Sequence, residues 1–199
     1  MIADNDNTPF SELTGSWYDM IMADPPWLFK LRSEKNLLKS PQGKYRCMPL
    51  PEIKRLPVAD LAARDSLLWL WTTNPMIDQG LEVLKHWGFT FKTAGHWAKI
   101  TKTGKQSFGP GYILRCAGEP FLIGTRGKPK ATKAVRSVIL GLIREHSRKP
   151  EEAYREAEKL MPDARRLDLF TRQTRQGWTP WGDEATKFDA PTLPFAAAA

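Results

Sequence analysis

Six short apolar runs punctuate the chain: Tyr18–Ala23, Ser66–Trp71, Phe91–Ala98, Phe121–Thr125, Val138–Leu142 and Arg165–Phe170. They are near-continuous rather than alternating, the pattern of strands covered on both faces. Helical spacing fills the gaps between several of them. Asn74-Pro75 supplies an N-cap and an N1 proline ahead of a helix predicted over Met76–Trp87, and Gly88 stops it. Lys149-Pro150-Glu151-Glu152 opens a second helix, with acids in its first turn to suit the helix dipole. Its apolar stripe Ala153, Ala157, Leu160 and Met161 would face the sheet. Strands alternating with helices imply a single α/β domain with a doubly wound sheet. Ligands of such sheets sit beyond the carboxyl ends of strands. Asp24-Pro25-Pro26-Trp27 follows one such end, and Asp168-Leu169-Phe170-Thr171-Arg172 straddles another.

Two stretches break the pattern. Leu28–Pro49 has few apolar residues and no period, and is too long for an idle connection, so it reads as a lid or binding loop. Thr101–Gly111, with three glycines and a proline, reads as a second mobile loop. The ends, residues 1–9 and the Pro/Ala-rich 189–199, have little to pack and are expected to be mobile, leaving 10–188 as the domain. Neither a P-loop nor a GxGxxG fingerprint occurs, which removes the best evidence for an NTPase or an ordinary dinucleotide enzyme.

Charge sharpens the picture. The chain of 199 residues carries a formal net charge of +8. Lys99–Arg136 holds nine Lys or Arg residues against one acid, Glu119, and Lys30–Arg55 holds eight against two, Glu34 and Glu52. Basic loops interleaved with Tyr45, Phe108 and Tyr112 suit a nucleic-acid groove, with Lys99, Lys102 and Lys105 offered to phosphate. The alternative is a solvated basic face. Cys47 and Cys116 lie far apart, and His86, His96 and His146 are scattered, so neither zinc nor a disulfide framework is expected. No signal peptide or apolar run of spanning length occurs, and a soluble, cytoplasmic protein is expected, without membrane partners.

Asp24-Pro25-Pro26-Trp27 carries the chemistry. The exocyclic amine of adenine is a poor nucleophile because its lone pair is delocalised into the ring. Acceptors on both of its N–H bonds pull the nitrogen toward a tetrahedral, more nucleophilic form. Asp24 offers a carboxylate and Pro25 a carbonyl. Prolines fix φ and carry no N–H, so they aim carbonyls outward without a competing donor. Trp27 offers a face for stacking a base, worth roughly 1–3 kcal/mol in single-strand binders. Positioning and hydrogen bonding to developing charge would then do the catalysis. The bland alternative is a rigid turn ending a strand.

These residues, with five further motifs in order, resemble the MT-A70 family of S-adenosylmethionine-dependent adenine methyltransferases. Met22-Ala23-Asp24-Pro25-Pro26-Trp27 resembles its catalytic loop, and Tyr45-Arg46-Cys47-Met48 with Glu52-Ile53 its tyrosine-bearing loop. Leu68-Trp69-Leu70-Trp71-Thr72 resembles its second core strand. Glu119, Leu122-Ile123-Gly124 and Gly127 match its Glu-x-x-Leu-x-Gly-x-x-Gly segment. His146-Ser147-Arg148-Lys149-Pro150-Glu151 and Asp168-Leu169-Phe170-Thr171-Arg172 match its two late motifs. The resemblance runs from about Trp17 to Glu184. It implies a Rossmann-like methyltransferase sheet with the motif order of the permuted β-class DNA amino-methyltransferases.

The roles it implies agree with the chemistry. Asp24, with the Pro25 carbonyl, would hold the adenine amine beside Pro26, and Trp27 would pack on the base; Asp24 would also be one of the cofactor-binding residues. Lys149 would neutralise the carboxylate of S-adenosylmethionine, and Phe170 and Arg172 would hold its adenosine end. Tyr45 is either a lid residue at the substrate or a loop anchor. Asp183-Glu184 stands after Gly182 where the eukaryotic enzyme has Asn-Gln, and can still accept hydrogen bonds from ribose hydroxyls. Of the family's upstream cofactor-binding acid only Asp4, Asp6 and Asn7 offer a counterpart, and that role stays unassigned.

The expected activity is methyl transfer to the N(6) amine of adenine in nucleic acid. DNA is favoured over RNA, and single-stranded or unpaired substrate over duplex, because extracting a base costs a few kcal/mol. A homodimer is a further expectation, with exposed Trp residues as its interface. Two other readings compete. A non-catalytic nucleic-acid-binding subunit is disfavoured by the retained Asp24 and Trp27. Methylation of a glutamine amide is disfavoured because related enzymes carry Asn and Tyr at those positions.

Overall fold

The computed structural model describes residues 9–13, 15–28, 46–111, 113–145 and 147–189. Its strands are β1 Tyr18–Ala23, β2 Ala62–Trp71, β3 Thr90–Ile100, β4 Gly118–Arg126, β5 Val138–Leu142, β6 Arg166–Leu169 and β7 Trp178–Trp181. The helices are α1 Leu50–Arg55, α2 Val58–Leu61, α3 Ile77–His86 and α4 Glu151–Leu160. All seven strands join one sheet in the order β5-β3-β4-β2-β1-β6-β7. Pairing is antiparallel on both sides of β4 and parallel elsewhere. β4 returns directly from β3 through the 101–117 connection, and such a return runs antiparallel.

The central strands β1, β2, β4 and β6 pack on both faces, whereas the edge strand β5 leaves Val138, Leu140 and Leu142 exposed and β3 is exposed over its first half, against the both-faces expectation. Ile21 and Ala23 of β1 and Leu68 and Leu70 of β2 join one core cluster with Ile53, Val58, Val83, Leu84 and Trp87 from α1 to α3. Met20, Met22, Leu67, Trp69 and Trp71 point the other way, against Ala153, Tyr154 and Ala157 of α4. The second face is rich in rings: Trp69 stacks on Phe121 at 4.1 Å between centroids. Gly95 is required there, since a Cβ would run into the Phe121 ring.

Several boundaries differ from the sequence reading. Asn74 does not cap a helix. Asn74–Met76 forms a 3-10 turn before α3, and the Asn74 amide instead reaches Cys116 Sγ at 3.6 Å. Gly88 does stop α3, with φ 81°. β7, with Pro180 inside it, was not predicted; it is an edge strand, where a proline is tolerated. The 101–111 loop is hydrogen-bonded internally, Thr101 N–H to Lys105 O at 2.8 Å, and to its flanks, Ser107 N–H to Lys99 O at 2.8 Å and Gly109 N–H to Cys116 O at 2.8 Å.

Exposed tryptophan, on which the homodimer expectation rested, is confined among the described residues to Trp17, 58% exposed. Tyr45, most of the expected lid 28–49, and nearly all of both expected mobile ends lie outside the described residues. No helix among the described residues is long and apolar enough to cross a membrane. Cys47 and Cys116 are not joined in a disulfide, and no group of three or more metal-ligating side chains occurs among the described residues.

The sheet fixes where a ligand can sit. β1 leads on to β2 on one side, while β6 leads on to β7 on the other. The strand order therefore reverses between β1 and β6, which pair with Ala23 opposite Leu169. The crevice beyond these carboxyl ends is the binding position of an open α/β sheet.

Candidate active site

Asp24 and Phe170 each begin immediately past those two strand ends. The Asp24 N–H donates to Leu169 O at 3.2 Å, which ties the two ends together. The Trp27 N–H donates to Pro25 O at 2.8 Å, and the Met48 N–H to Pro26 O at 2.7 Å. Leu28 N–H returns to Met48 O at 3.2 Å. The loop is thus clamped by its own carbonyls, as two residues without N–H groups permit. A carbonyl has two acceptor positions, so Pro25 O keeps one beyond its bond to Trp27.

Trp27 requires a correction. It is 5% exposed, packs in the first core cluster, and its indole N–H donates to Trp71 O at 3.0 Å. Its ring is a brace beneath the loop rather than an open stacking face, because the indole is anchored in the core by both its apolar body and its polar tip.

A cleft of about 250 Å³ opens at this point. Asp24, Pro26, Phe170, Arg172, Asp183 and Glu184 all line it, together with Arg46, Met48, Glu52, Ser147, Thr171 and Trp181. Five of the six expected cofactor residues therefore converge on one space, and the sixth, Lys149, lines an adjoining recess with Asp24 and Asp168. Phe170 sits with φ 64°, and Ser147 with φ 62°. This left-handed conformation is costly for residues with a Cβ and concentrates at functional sites. It turns the chain sharply where β6 ends, and the Phe170 ring meets Trp181 edge-on at 5.4 Å. Arg172 pairs with Glu184 at 2.7 Å and lies over the Phe188 ring at 5.1 Å.

The head of the cleft is a chain of alternating charges. Lys149 Nζ lies 2.5 Å from Asp24 Oδ2 and 3.2 Å from Glu119 Oε2. Glu119 Oε1 in turn receives Lys99 Nζ at 2.5 Å. Burial opposes the charge on Glu119, but Lys149 and Lys99 outweigh it and hold its pKa at about 2. Burial likewise opposes the charge on Lys149, and Asp24 and Glu119 reverse that effect and raise its pKa. Burial raises the pKa of Asp24, with Lys149 pulling the other way.

This row of ion pairs revises one expectation. Lys99, offered to phosphate from sequence, is committed to Glu119 and lies 4.6 Å from the centre of the Trp97 ring. Lys102 and Lys105 remain exposed on the loop, outside the cleft lining. From the sequence Glu119 is only a motif residue. Its isolation among nine cations was the available signal, since a lone acid in a basic run is placed to be paired.

Beneath Phe170 lies a buried polar group. Asp168 is 3% exposed; burial raises its pKa to about 6, against hydrogen bonds from Thr171 and Tyr154 and the charge of Arg175. The Arg175 guanidinium lies 3.5 Å from the centre of the Tyr154 ring and bonds Glu151 Oε1 at 3.0 Å. Glu151 also takes Arg144, so the start of α4 is fastened to the floor of the site.

Residues 18–184 match the MT-A70 family. The type II methyltransferase M.MunI of Mycoplasma sp is 29% identical over 204 residues, covering 92% of this chain and 85% of that protein. The N(6)-adenosine-methyltransferase MT-A70-like protein of Arabidopsis thaliana is 32% identical over 176 residues, covering 84% of this chain and 24% of that protein. The N6-methyladenosine RNA methyltransferase MTA1 of Cryphonectria parasitica is 30% identical over 185 residues, covering 87% of this chain and 53% of that protein. The chain thus spans most of the first relative and about half or less of the other two.

Proposed function

Because the chain belongs to the MT-A70 family, we propose that it transfers a methyl group from S-adenosylmethionine to the N(6) amine of adenine in nucleic acid, in the cytoplasm. The observation that carries this reading is the convergence of Asp24, Phe170, Arg172, Asp183 and Glu184 on one cleft beyond the ends of β1 and β6. The donor set fits the cofactor. Lys149 would receive its carboxylate, and Glu184 and Asp183 its ribose hydroxyls. Phe170 and Trp181 give the adenine end an apolar wall. S-adenosylmethionine supplies a methyl carbon made electrophilic by its sulfonium.

The protein's part is positioning. Asp24 accepts one N–H of the target amine and Pro25 O the other, and both pull the nitrogen lone pair out of the ring. The backbone bond from Asp24 to Leu169 and the brace from Trp27 to Trp71 keep the loop rigid. Such preorganised acceptors act on charge as it develops, and removing one typically costs 10²–10³-fold in rate. No strong base is needed, since the proton is lost after the carbon–nitrogen bond forms.

DNA is favoured as substrate, unpaired rather than duplex. The match to the type II methyltransferase M.MunI runs over 92% of this chain, against 87% for the RNA methyltransferase MTA1. The test is tritium transfer from labelled S-adenosylmethionine to DNA and RNA oligonucleotides with and without adenine, beside Asp24→Ala. Adenine-dependent label that is lost in the variant is the expected result. Equal labelling of adenine-free oligonucleotides would overturn the reading, and RNA-only labelling would overturn the choice of DNA.

A further inference from the structure

Lys149 touches both carboxylates at the head of the cleft. It is 8% exposed, with its ammonium 2.5 Å from Asp24 and 3.2 Å from Glu119, and the Trp71 ring centre 5.4 Å away. Glu119 does not depend on Lys149 for its own position, because Lys99 holds its other oxygen at 2.5 Å. Lys149 therefore has one partner that belongs to the reaction and one that is anchored from behind.

The two partners make an exchange possible. A carboxylate already bonded to an ammonium has its charge compensated, and is a weaker acceptor for a neutral amine. With Lys149 on it, Asp24 is poorly prepared to compete with water for an adenine N–H. A buried ammonium does not leave its counterion unless another is present. Glu119 is that other: Lys149 can give up Asp24 while keeping a carboxylate beside it. Three N–H donors let one ammonium hold Glu119 while turning a second donor elsewhere.

We propose that Lys149 is a positioning residue with two settings, which withholds Asp24 from the target amine until S-adenosylmethionine is bound, so that the cofactor binds before the base is recognised. This rests on the reading that the cleft takes S-adenosylmethionine and that Asp24 takes the adenine amine. In the first setting Lys149 bridges Asp24 and Glu119, as the distances above record. In the second, Lys149 turns to the cofactor's carboxylate while Glu119 retains it, and Asp24 becomes free to accept. Ion pairs exchange and no covalent bond changes. Coupling between the two binding events is reciprocal, so the base also tightens cofactor binding.

The test is equilibrium binding of two labelled single-stranded DNA oligonucleotides. One carries a single adenine, and the other carries unsubstituted purine at that position, which lacks only the amine. Each is titrated alone, with saturating S-adenosylhomocysteine, and with 5′-methylthioadenosine, which lacks the carboxylate that Lys149 would receive. Wild type is expected to bind both oligonucleotides equally when alone, and to prefer adenine about tenfold with S-adenosylhomocysteine. With methylthioadenosine bound, no preference is expected. Lys149→Met is expected to prefer adenine without any cofactor and to bind S-adenosylhomocysteine at least tenfold more weakly.

An adenine preference of equal size with no cofactor, or one that methylthioadenosine induces as well, overturns the proposal. The wild-type arms decide this even if Lys149→Met does not fold. Failure of the underlying reading looks different: S-adenosylhomocysteine does not bind, and no labelled methyl reaches adenine. Cofactor binding with a cofactor-independent preference overturns the two-setting lysine alone.

Discussion

The indole N–H of Trp27 donates to the carbonyl of Trp71 across 3.0 Å, fastening the loop after β1 to the last residue of β2. Both residues are almost wholly buried. Trp27→Phe keeps an aromatic body but leaves the Trp71 carbonyl without its donor, a loss of about 1–3 kcal/mol. For a domain of this size that lowers Tm by roughly 2–12 °C. Thermal melting checks it, and an unchanged Tm would deny the brace.

Phe170 occupies the left-handed region at φ 64°. Phe170→Gly and Phe170→Ala both remove the ring from Trp181, but only glycine is at ease in that conformation. The glycine variant should be the more stable of the two by roughly 0.5–1 kcal/mol, after its greater unfolded-state entropy is counted. Urea denaturation of the pair measures the difference directly. Both variants should bind S-adenosylmethionine more weakly than wild type.

Asp168 ionises in the folded protein at about pH 6 instead of the ordinary 3.8, chiefly because it is buried. Between those values the folded chain keeps a proton that the unfolded chain has released, so this group subtracts stability as pH rises from about 4 to 6. Asp168→Asn removes the titration. The difference in Tm, variant minus wild type, should therefore become more positive across that window and level off above it. A difference that is flat with pH would place the carboxyl's titration outside the window.

Lys102 and Lys105 are exposed on the loop between β3 and β4. If each meets one phosphate of a single strand, changing both to Ala should flatten the slope of log K against log salt by about 1.4. Cofactor affinity should stay the same, since neither lines the cleft. Fluorescence anisotropy at several salt concentrations reads the slope. An unaltered slope would remove this loop from the nucleic-acid interface.

The six strands announced by apolar runs are all present, and for β1, β2, β4 and β6 the reason is that a strand buried on both faces needs little else from its sequence than apolar side chains. β7 escaped notice because Trp178–Trp181 is four residues long and contains a proline, and only its edge position makes that workable. α1 and α2 are too short, at six and four residues, to display a helical period. Within the site, residues beside strand ends were legible, since the sheet dictates where Asp24 and Phe170 must fall. The partnership of Lys99 with Glu119 was not. It depends on the register of β3 against β4, where Trp97 lies opposite Glu119, and register is a property of the folded pair. Trp27 misled for a related reason: a sequence displays an aromatic face but not the carbonyl of Trp71 waiting to hold its nitrogen.

The lysines at the head of the cleft each lie against an indole, Lys99 at 4.6 Å from the Trp97 ring centre and Lys149 at 5.4 Å from that of Trp71. A cation beside an indole shifts the energy of its excited state, whose dipole differs from that of the ground state. Any rearrangement of Lys149 thereby alters the light that Trp71 emits. The protein carries its own optical gauge of the site, readable by intrinsic fluorescence without a label.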